Sequence, residues 1–172
     1  MLKCNGYHGT SQSNVASILK NGYLVSDKTN TWLGNGVYFF GDLLPLTSGF
    51  EEAKSWQLNV NNKTDWAVLV ADIKSEKYID LIEEKEHRRL FENVRRTLLQ
   101  IHESAGKDRR SFRDRIIFLE LWKRYSIDVI RACTEGRKND GYFGYVIRRL
   151  QVQICVTETN CITNNRLKSQ GK

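Results

Sequence analysis

Only three histidines, His8, His87 and His102, occur in the chain, and none stands at zinc-ligand spacing from Cys4, Cys133, Cys155 or Cys161. No CxxC pair is present, so a His/Cys metal centre is not expected, and the cysteines read as reduced residues packed like small apolar groups. Long hydrophobic runs are missing as well. The best of them, Trp66-Ala67-Val68-Leu69-Val70-Ala71, falls far short of the roughly 20 apolar residues a membrane-spanning helix needs. The opening Met1-Leu2-Lys3-Cys4-Asn5 lacks the apolar core of a signal peptide, so the expected location is the cytoplasm. No GxGxxG follows a strand pattern and no GxxxxGK[ST] occurs, which removes the two usual phosphate-cradling motifs.

What is present describes one folded domain. The chain has 172 residues, 40% of them apolar and 10% aromatic, enough for one real core and too few for two ordinary ones. A single domain is expected over 1–162, with a polar, frayed tail at 163–172. Short strand patterns appear at Cys4–Gly9, Val37–Phe40, Ile127–Ala132 and Leu150–Val156, and Trp66–Ile73 reads as a strand buried on both faces. In the 150–156 strand, Val152, Ile154 and Val156 share one face and Gln151, Gln153 and Cys155 the other. Ser13 is placed to cap a helix that stops at Asn21-Gly22, and Ser48-Gly49-Phe50-Glu51 has the form of a capping box. A helical pair occupies about 83–126. Its first member runs from Glu83 to about Ser104 on Phe91, Val94, Leu98 and Ile101, and its second from Phe112 to Tyr125, capped by Ser111, with Ile116, Leu119 and Trp122 inward. The class is therefore α+β, with a helical pair inserted before the last strands.

Two stretches stand out: Tyr7-His8-Gly9-Thr10, and Trp32-Leu33-Gly34-Asn35-Gly36-Val37-Tyr38-Phe39-Phe40, with Ile18-Leu19-Lys20-Asn21-Gly22-Tyr23 between them. Taken singly, each is a turn or a core strand. In this order and spacing they resemble the nicotinamide half of the NAD site in ADP-ribosyltransferases, in the diphtheria-toxin-like and poly(ADP-ribose)-polymerase-like branch. The resemblance covers residues 4–56, and more loosely 66–73 and 150–162.

That resemblance implies a split, two-sheet core of short strands and NAD as co-substrate. It also implies roles for particular residues. Gly9 would bond the nicotinamide carboxamide through its backbone, the Thr10 hydroxyl would add a bond to the amide oxygen, and His8 would bond the adenosine ribose. Tyr38 would stack on the nicotinamide ring, with Phe50 as the second aromatic wall and Trp56 behind it as a candidate. The third position on the late strand is most often Glu in the family. Here Gln153 is the best match, ahead of Glu158 and Gln151. A neutral Gln bonds a ribose hydroxyl but is no general base, so the resemblance implies transfer of one ADP-ribose rather than polymer growth.

The acceptor is read from charge. Formal charge is +7, much of it in arginine clusters of the helical pair, which suits nucleic acid. Glutamates share that segment, and mixed charge is also the mark of a solvated helix face. The expectation is an NAD-dependent mono-ADP-ribosyltransferase of RNA or DNA, RNA preferred, acting as an intracellular toxin of the toxin–antitoxin or antiphage kind, with a protein antitoxin as a further partner and no metal or membrane. Tyr142-Phe143-Gly144-Tyr145 offers aromatics for base stacking. The alternatives are a protein mono-ADP-ribosyltransferase and a degenerate module that binds nucleic acid or ADP-ribose. Convergence of Arg95, Arg96, Arg109, Arg113 and Arg148 on the Tyr38–Gln153 cleft favours nucleic acid; scattering, or pairing with the nearby glutamates, favours a protein acceptor.

Overall fold

The computed structural model describes residues 1–26, 31–43, 46–61, 64–135 and 150–171. Seven strands and four α-helices follow in the order β1 (Leu2–Thr10), α1 (Gln12–Asn21), β2 (Val37–Gly41), α2 (Gly49–Ser55), β3 (Trp66–Ser75), β4 (Tyr78–Asp80), α3 (Lys85–Ser104), α4 (Arg115–Tyr125), β5 (Val129–Glu135), β6 (Leu150–Val156) and β7 (Ile162–Gly171). The class is α+β. The strands form one hydrogen-bonded sheet in the order β4-β5-β6-β2-β1-β3-β7.

The ladders are long within each half of that sheet and almost absent between the halves. β1 pairs with β3 in unbroken antiparallel register from Leu2↔Ser75 to Thr10↔Ala67, and β2 pairs with β6 from Val37↔Val156 to Gly41↔Val152. β1 and β2 meet at a single registered pair, Tyr7↔Phe40. In place of the expected two sheets the described strands form one, and its sparsest registered pairing runs between the two motif strands.

Packing follows from the alternation of side chains. Val152, Ile154 and Val156 join Phe39, Val37 and Ile73 in one core cluster. Cys155 and Ile130 face the other way, against Leu33, Ile117, Phe118 and Leu121 beneath α3 and α4. The strand 66–75 is buried on both faces from Ala67 to Ala71. β4 and β5 are the parallel pair, in register Asp80↔Arg131. Parallel neighbours cannot be joined by a tight turn, so the chain needs a long crossover there, and the helical pair supplies it.

Several boundaries and faces differ from the sequence expectation. The N-cap of α1 is Ser11 rather than Ser13. Ser48 makes no side-chain cap bond at α2; the Gly49 N–H donates instead to Asp42 Oδ1 at 2.8 Å, so a carboxylate at the end of β2 does the capping. Residues 109–111 form a 3₁₀ turn capped by Asp108, and α4 starts only at Arg115. The buried face also differs from the expected one: Ile117, Phe118 and Leu121 are buried, while Ile116 and Leu119 are both 41% exposed. Ile101 is likewise exposed at the far end of α3.

The segment after Ile162 is not frayed. It is β7, an edge strand paired with β3 from Ile73↔Ile162 to Trp66↔Gly171, with two register shifts, one of them where Asn164 takes a positive φ of 53°. Its outward polar surface, with Arg166 and Lys168 exposed, is what an unpaired sheet edge requires.

A buried ion pair ties β4 to β5. Arg131, 8% exposed, donates from Nε and Nη2 to Asp80 Oδ1 and Oδ2 at 3.1 and 2.6 Å, and Asp80 is 2% exposed. Nη2 also pairs with Glu83 at 2.6 Å. Removing one partner strands a buried charge, so Asp80→Ala is expected to lower stability by on the order of 3 kcal/mol, read as a fall in urea midpoint; an unchanged midpoint would show the pair to be dispensable.

Candidate active site

Where β1 and β2 part, the carbonyl of Tyr38 is met by a side chain. His8 Nδ1 lies 2.9 Å from Tyr38 O. A carbonyl only accepts, so Nδ1 carries the proton and Nε2 is left with a lone pair. Burial holds the His8 pKa below its ordinary value, against the opposing effect of the bond to Tyr38, so the ring is neutral at pH 7. His8 is therefore fixed as a hydrogen-bond acceptor on the wall of a cleft of about 820 Å³ that opens at this seam. A ribose hydroxyl is the kind of donor it fits.

Tyr38 forms a second wall and is held at both ends. Its hydroxyl accepts from Leu33 N–H at 3.0 Å and donates to Gly34 O at 2.9 Å. The Trp122 indole N–H donates to Leu33 O at 2.6 Å, which staples the same loop to α4. Gly34 has φ of 110°, and a Cβ there would lie 2.4 Å from Trp122 Nε1, so the glycine is required twice over. Burial raises the Tyr38 phenol pKa, so the ring stays neutral.

The third wall is β6. Gln153 and Gln151 project to the cleft from one face of the strand. Trp32 Nε1 donates to Gln153 Oε1 at 2.5 Å. An indole only donates, so the amide is turned with its NH2 group away from Trp32, and that group has no partner among the described residues. Gln151 has the opposite arrangement: its Nε2 donates to the buried carboxylate of Glu52 at 2.6 Å, leaving the amide oxygen outward. Glu52 is also contacted by the Thr47 hydroxyl at 3.5 Å.

The structure thus brings His8, Gly9, Tyr38 and Gln153 to one cleft, with Gln151 beside them. It leaves three candidates outside. Phe50 packs edge-on against Trp66, with ring centroids 6.4 Å apart, and does not line the cleft; Trp56 does, resting against Phe40. Of the two candidate aromatics, the structure therefore brings Trp56 to the cleft and leaves Phe50 outside it. Thr10 is buried, with its hydroxyl accepting from Asn14 Nδ2 at 3.2 Å, and is not part of the wall. Glu158 sits exposed before the 3₁₀ turn at Thr159–Cys161, away from the cleft.

Gly9 has a reason of its own for being glycine. A Cβ there would come within 2.1 Å of Ala53 O, so α2 packs directly on the β1 backbone. Sequence reasoning gave Trp32, Glu52 and Trp122 no part in the site, Trp122 being placed only on the inward face of its helix. Trp32 stands in the quoted motif, but its partner Gln153 is 121 positions away, and nothing local announces the pairing.

Electrostatically the cleft is nearly neutral. Asp114 is the one charged side chain lining it among the described residues. Cys133 also borders it, and burial raises its thiol pKa, so it is not an activated nucleophile. Neither Arg95, Arg96, Arg109 nor Arg113 lines the cleft; Arg95 pairs with Glu92 and Asp114, and Arg109 with Glu103. Arg148 and the 142–145 aromatics lie outside the described residues. No group of three or more His, Cys, Asp or Glu side chains among the described residues could hold a metal ion, and no helix is long and apolar enough to cross a membrane.

No protein-family model matches the chain, and no curated protein matches it significantly.

The depressed His8 pKa has a consequence for stability. Between the ordinary histidine pKa of about 6.5 and the lower folded value, the unfolded chain binds a proton that the folded chain refuses. The contribution of His8 is therefore whole above that window and falls away as pH drops through it. His8→Gln keeps a donor for Tyr38 O but does not titrate. Its urea midpoint should fall less between pH 7.5 and 5.5 than that of the parent chain; parallel falls would show His8 to be unperturbed.

Proposed function

We propose that this chain is an NAD-dependent mono-ADP-ribosyltransferase whose acceptor is a nucleic acid. The observation that carries the reading is the meeting of His8, Tyr38 and Gln153, from three strands far apart in sequence, around one cleft at the seam of the sheet. That seam, with three strands on one side and four on the other, supports the split-core architecture that the sequence resemblance implies.

The reaction breaks the C–N bond between nicotinamide and its ribose. The bonding pair leaves with the nicotinamide nitrogen and cancels its positive charge; the acceptor's lone pair bonds to the ribose carbon, and the acceptor's proton passes to water. The protein's share is positioning and charge stabilisation. His8 Nε2 accepts from a ribose hydroxyl. Tyr38 and Trp56 supply flat apolar surface for the nicotinamide, and a stack of that kind is worth about 1 kcal/mol beyond its area. The outward NH2 of Gln153 donates to a ribose oxygen. Because Gln153 is neutral, the site holds no base at that position for activating a ribose hydroxyl of an already attached ADP-ribose, which supports single transfer. Inside a cell such an activity would act as a toxin or antiphage effector.

A second reading is favoured by one observation. No arginine or lysine among the described residues lines the cleft itself, and Arg95 and Arg109 pair with glutamates, the arrangement expected of a protein acceptor rather than a nucleic acid.

With labelled NAD, Tyr38→Ala should abolish nicotinamide release while retaining the parent's circular dichroism. Gln153→Ala should lower transfer by about 100-fold, the scale of losing one positioned donor, with little change in NAD affinity. Full turnover by folded Tyr38→Ala would remove the cleft from the chemistry.

A further inference from the structure

The basic excess of this chain is concentrated in one element. Residues 85–124, which span α3, the 3₁₀ turn and α4 up to its last residue, hold twelve Lys and Arg against six Asp and Glu, most of the chain's net +7. Every one of those six carboxylates sits in an ion pair: Glu86 with Arg89, Glu92 and Asp114 with Arg95, Glu103 with Arg109, Asp108 with Arg110, and Glu120 with Arg124. Five cations are used in this way, which leaves seven of the twelve with no carboxylate partner among the described residues. The acidic complement is exhausted, so the mixed-charge pattern in the sequence does not neutralise the element.

The turn between the helices adds position and rigidity. Lys107 and Arg113 are exposed and unpaired by carboxylates, and Arg113 Nη1 is held by the carbonyls of Arg110 and Phe112 at 2.7 and 3.3 Å. Asp108 fixes the turn by accepting from Arg110 N at 2.8 Å, and His102 Nε2 lies 2.9 Å from the Ser111 hydroxyl. Arg113 thus presents its charge on a braced turn and immediately precedes Asp114, which lines the cleft. Arg96, also exposed and unpaired, follows Arg95, whose Nε reaches Asp114 at 3.7 Å. The surface pairs at the turn, Arg109–Glu103 and Arg110–Asp108, are exposed on both sides and weak, so their arginines are free to exchange carboxylate for phosphate.

We infer that the α3–α4 hairpin is a docking arm for single-stranded nucleic acid, with backbone phosphates held by Arg96, Lys107 and Arg113 and a base led past Asp114 into the cleft. The phosphate contacts place the strand and the cleft does the choosing. A single strand fits because a base must leave its stack to reach the reacting ribose, and that costs least where it is unpaired. As an acceptor arm the hairpin rests on the transferase reading; as a nucleic-acid surface it stands independently of it.

The test titrates the full chain with a short mixed-sequence single-stranded RNA at several salt concentrations. Binding should weaken as salt rises. Lys107→Gln combined with Arg113→Gln should reduce the slope of log affinity on log salt by about 1.4, the share of two phosphate contacts on a single strand. Lys3→Gln combined with Lys74→Gln, opposite each other on β1 and β3 in the other half of the sheet, should leave the slope unchanged. Equal slopes for the two double variants would overturn the arm, and so would polyglutamate binding as tightly as RNA, which would assign the hairpin to an acidic protein. Nicotinamide release, measured on the same preparation without RNA, separates the two claims. Hairpin-dependent RNA binding with no release keeps the arm and sinks the transferase; release without such binding does the reverse.

Discussion

The hydrogen bond between His8 Nδ1 and the Tyr38 carbonyl is the constraint on which the site depends. β1 and β2 share one registered pair and then separate, so Tyr38 O has lost the ladder partner a continuing strand would have given it. The imidazole replaces that partner. In doing so it fixes its own tautomer, with Nε2 left as the acceptor, and spans the weakest line in the sheet, its ring packed against Tyr23 and Phe39. A single contact thereby bridges the two strands where their registered pairing ends.

The other walls are built on the same rule, in which a partner of single polarity orients an ambivalent group. Trp32, which only donates, turns Gln153 so that it donates outward. Glu52, which only accepts when ionised, turns Gln151 so that it accepts outward. Leu33 N–H and Gly34 O take both roles of the Tyr38 hydroxyl, so what the half-buried residue offers the cleft is its ring. A nearly uncharged cleft lined by fixed dipoles and aromatic rings suits a reaction whose substrate brings its own positive nicotinamide and loses that charge as the bond breaks.

How much of this was legible in the sequence depended on distance along the chain. The motif from Tyr7 to Phe40 could be read because its parts are local: a strand end, a helix stop at Gly22 and a glycine-bounded turn. The alternation of 150–156 was equally readable, because β6 is paired on both sides and each of its faces is committed to a different environment. β7 was missed for the opposite reason. It is an edge strand with a solvated surface, and its register comes from β3 rather than from any pattern of its own. The α4 face was misread because Ile116-Ile117-Phe118-Leu119 is a continuous apolar run, which does not by itself say which side of the helix is buried. Phe50 was preferred over Trp56 by counting from Tyr38, but Phe50 turns toward Trp66 while Trp56, at the end of α2, lies against Phe40 in the cleft. The Trp32–Gln153 and Glu52–Gln151 bonds join positions about a hundred residues apart and left no local trace.

The central claim is that the cleft between β1 and β2 receives NAD, and the Trp32 indole reports on it most directly. Its N–H resonance, assigned by a Trp32→Phe comparison, would be followed while a non-hydrolysable NAD analogue is added. The account predicts a saturable shift of that resonance together with those of the His8 ring, both lost in Tyr38→Ala. Saturating analogue with neither resonance moved would contradict it.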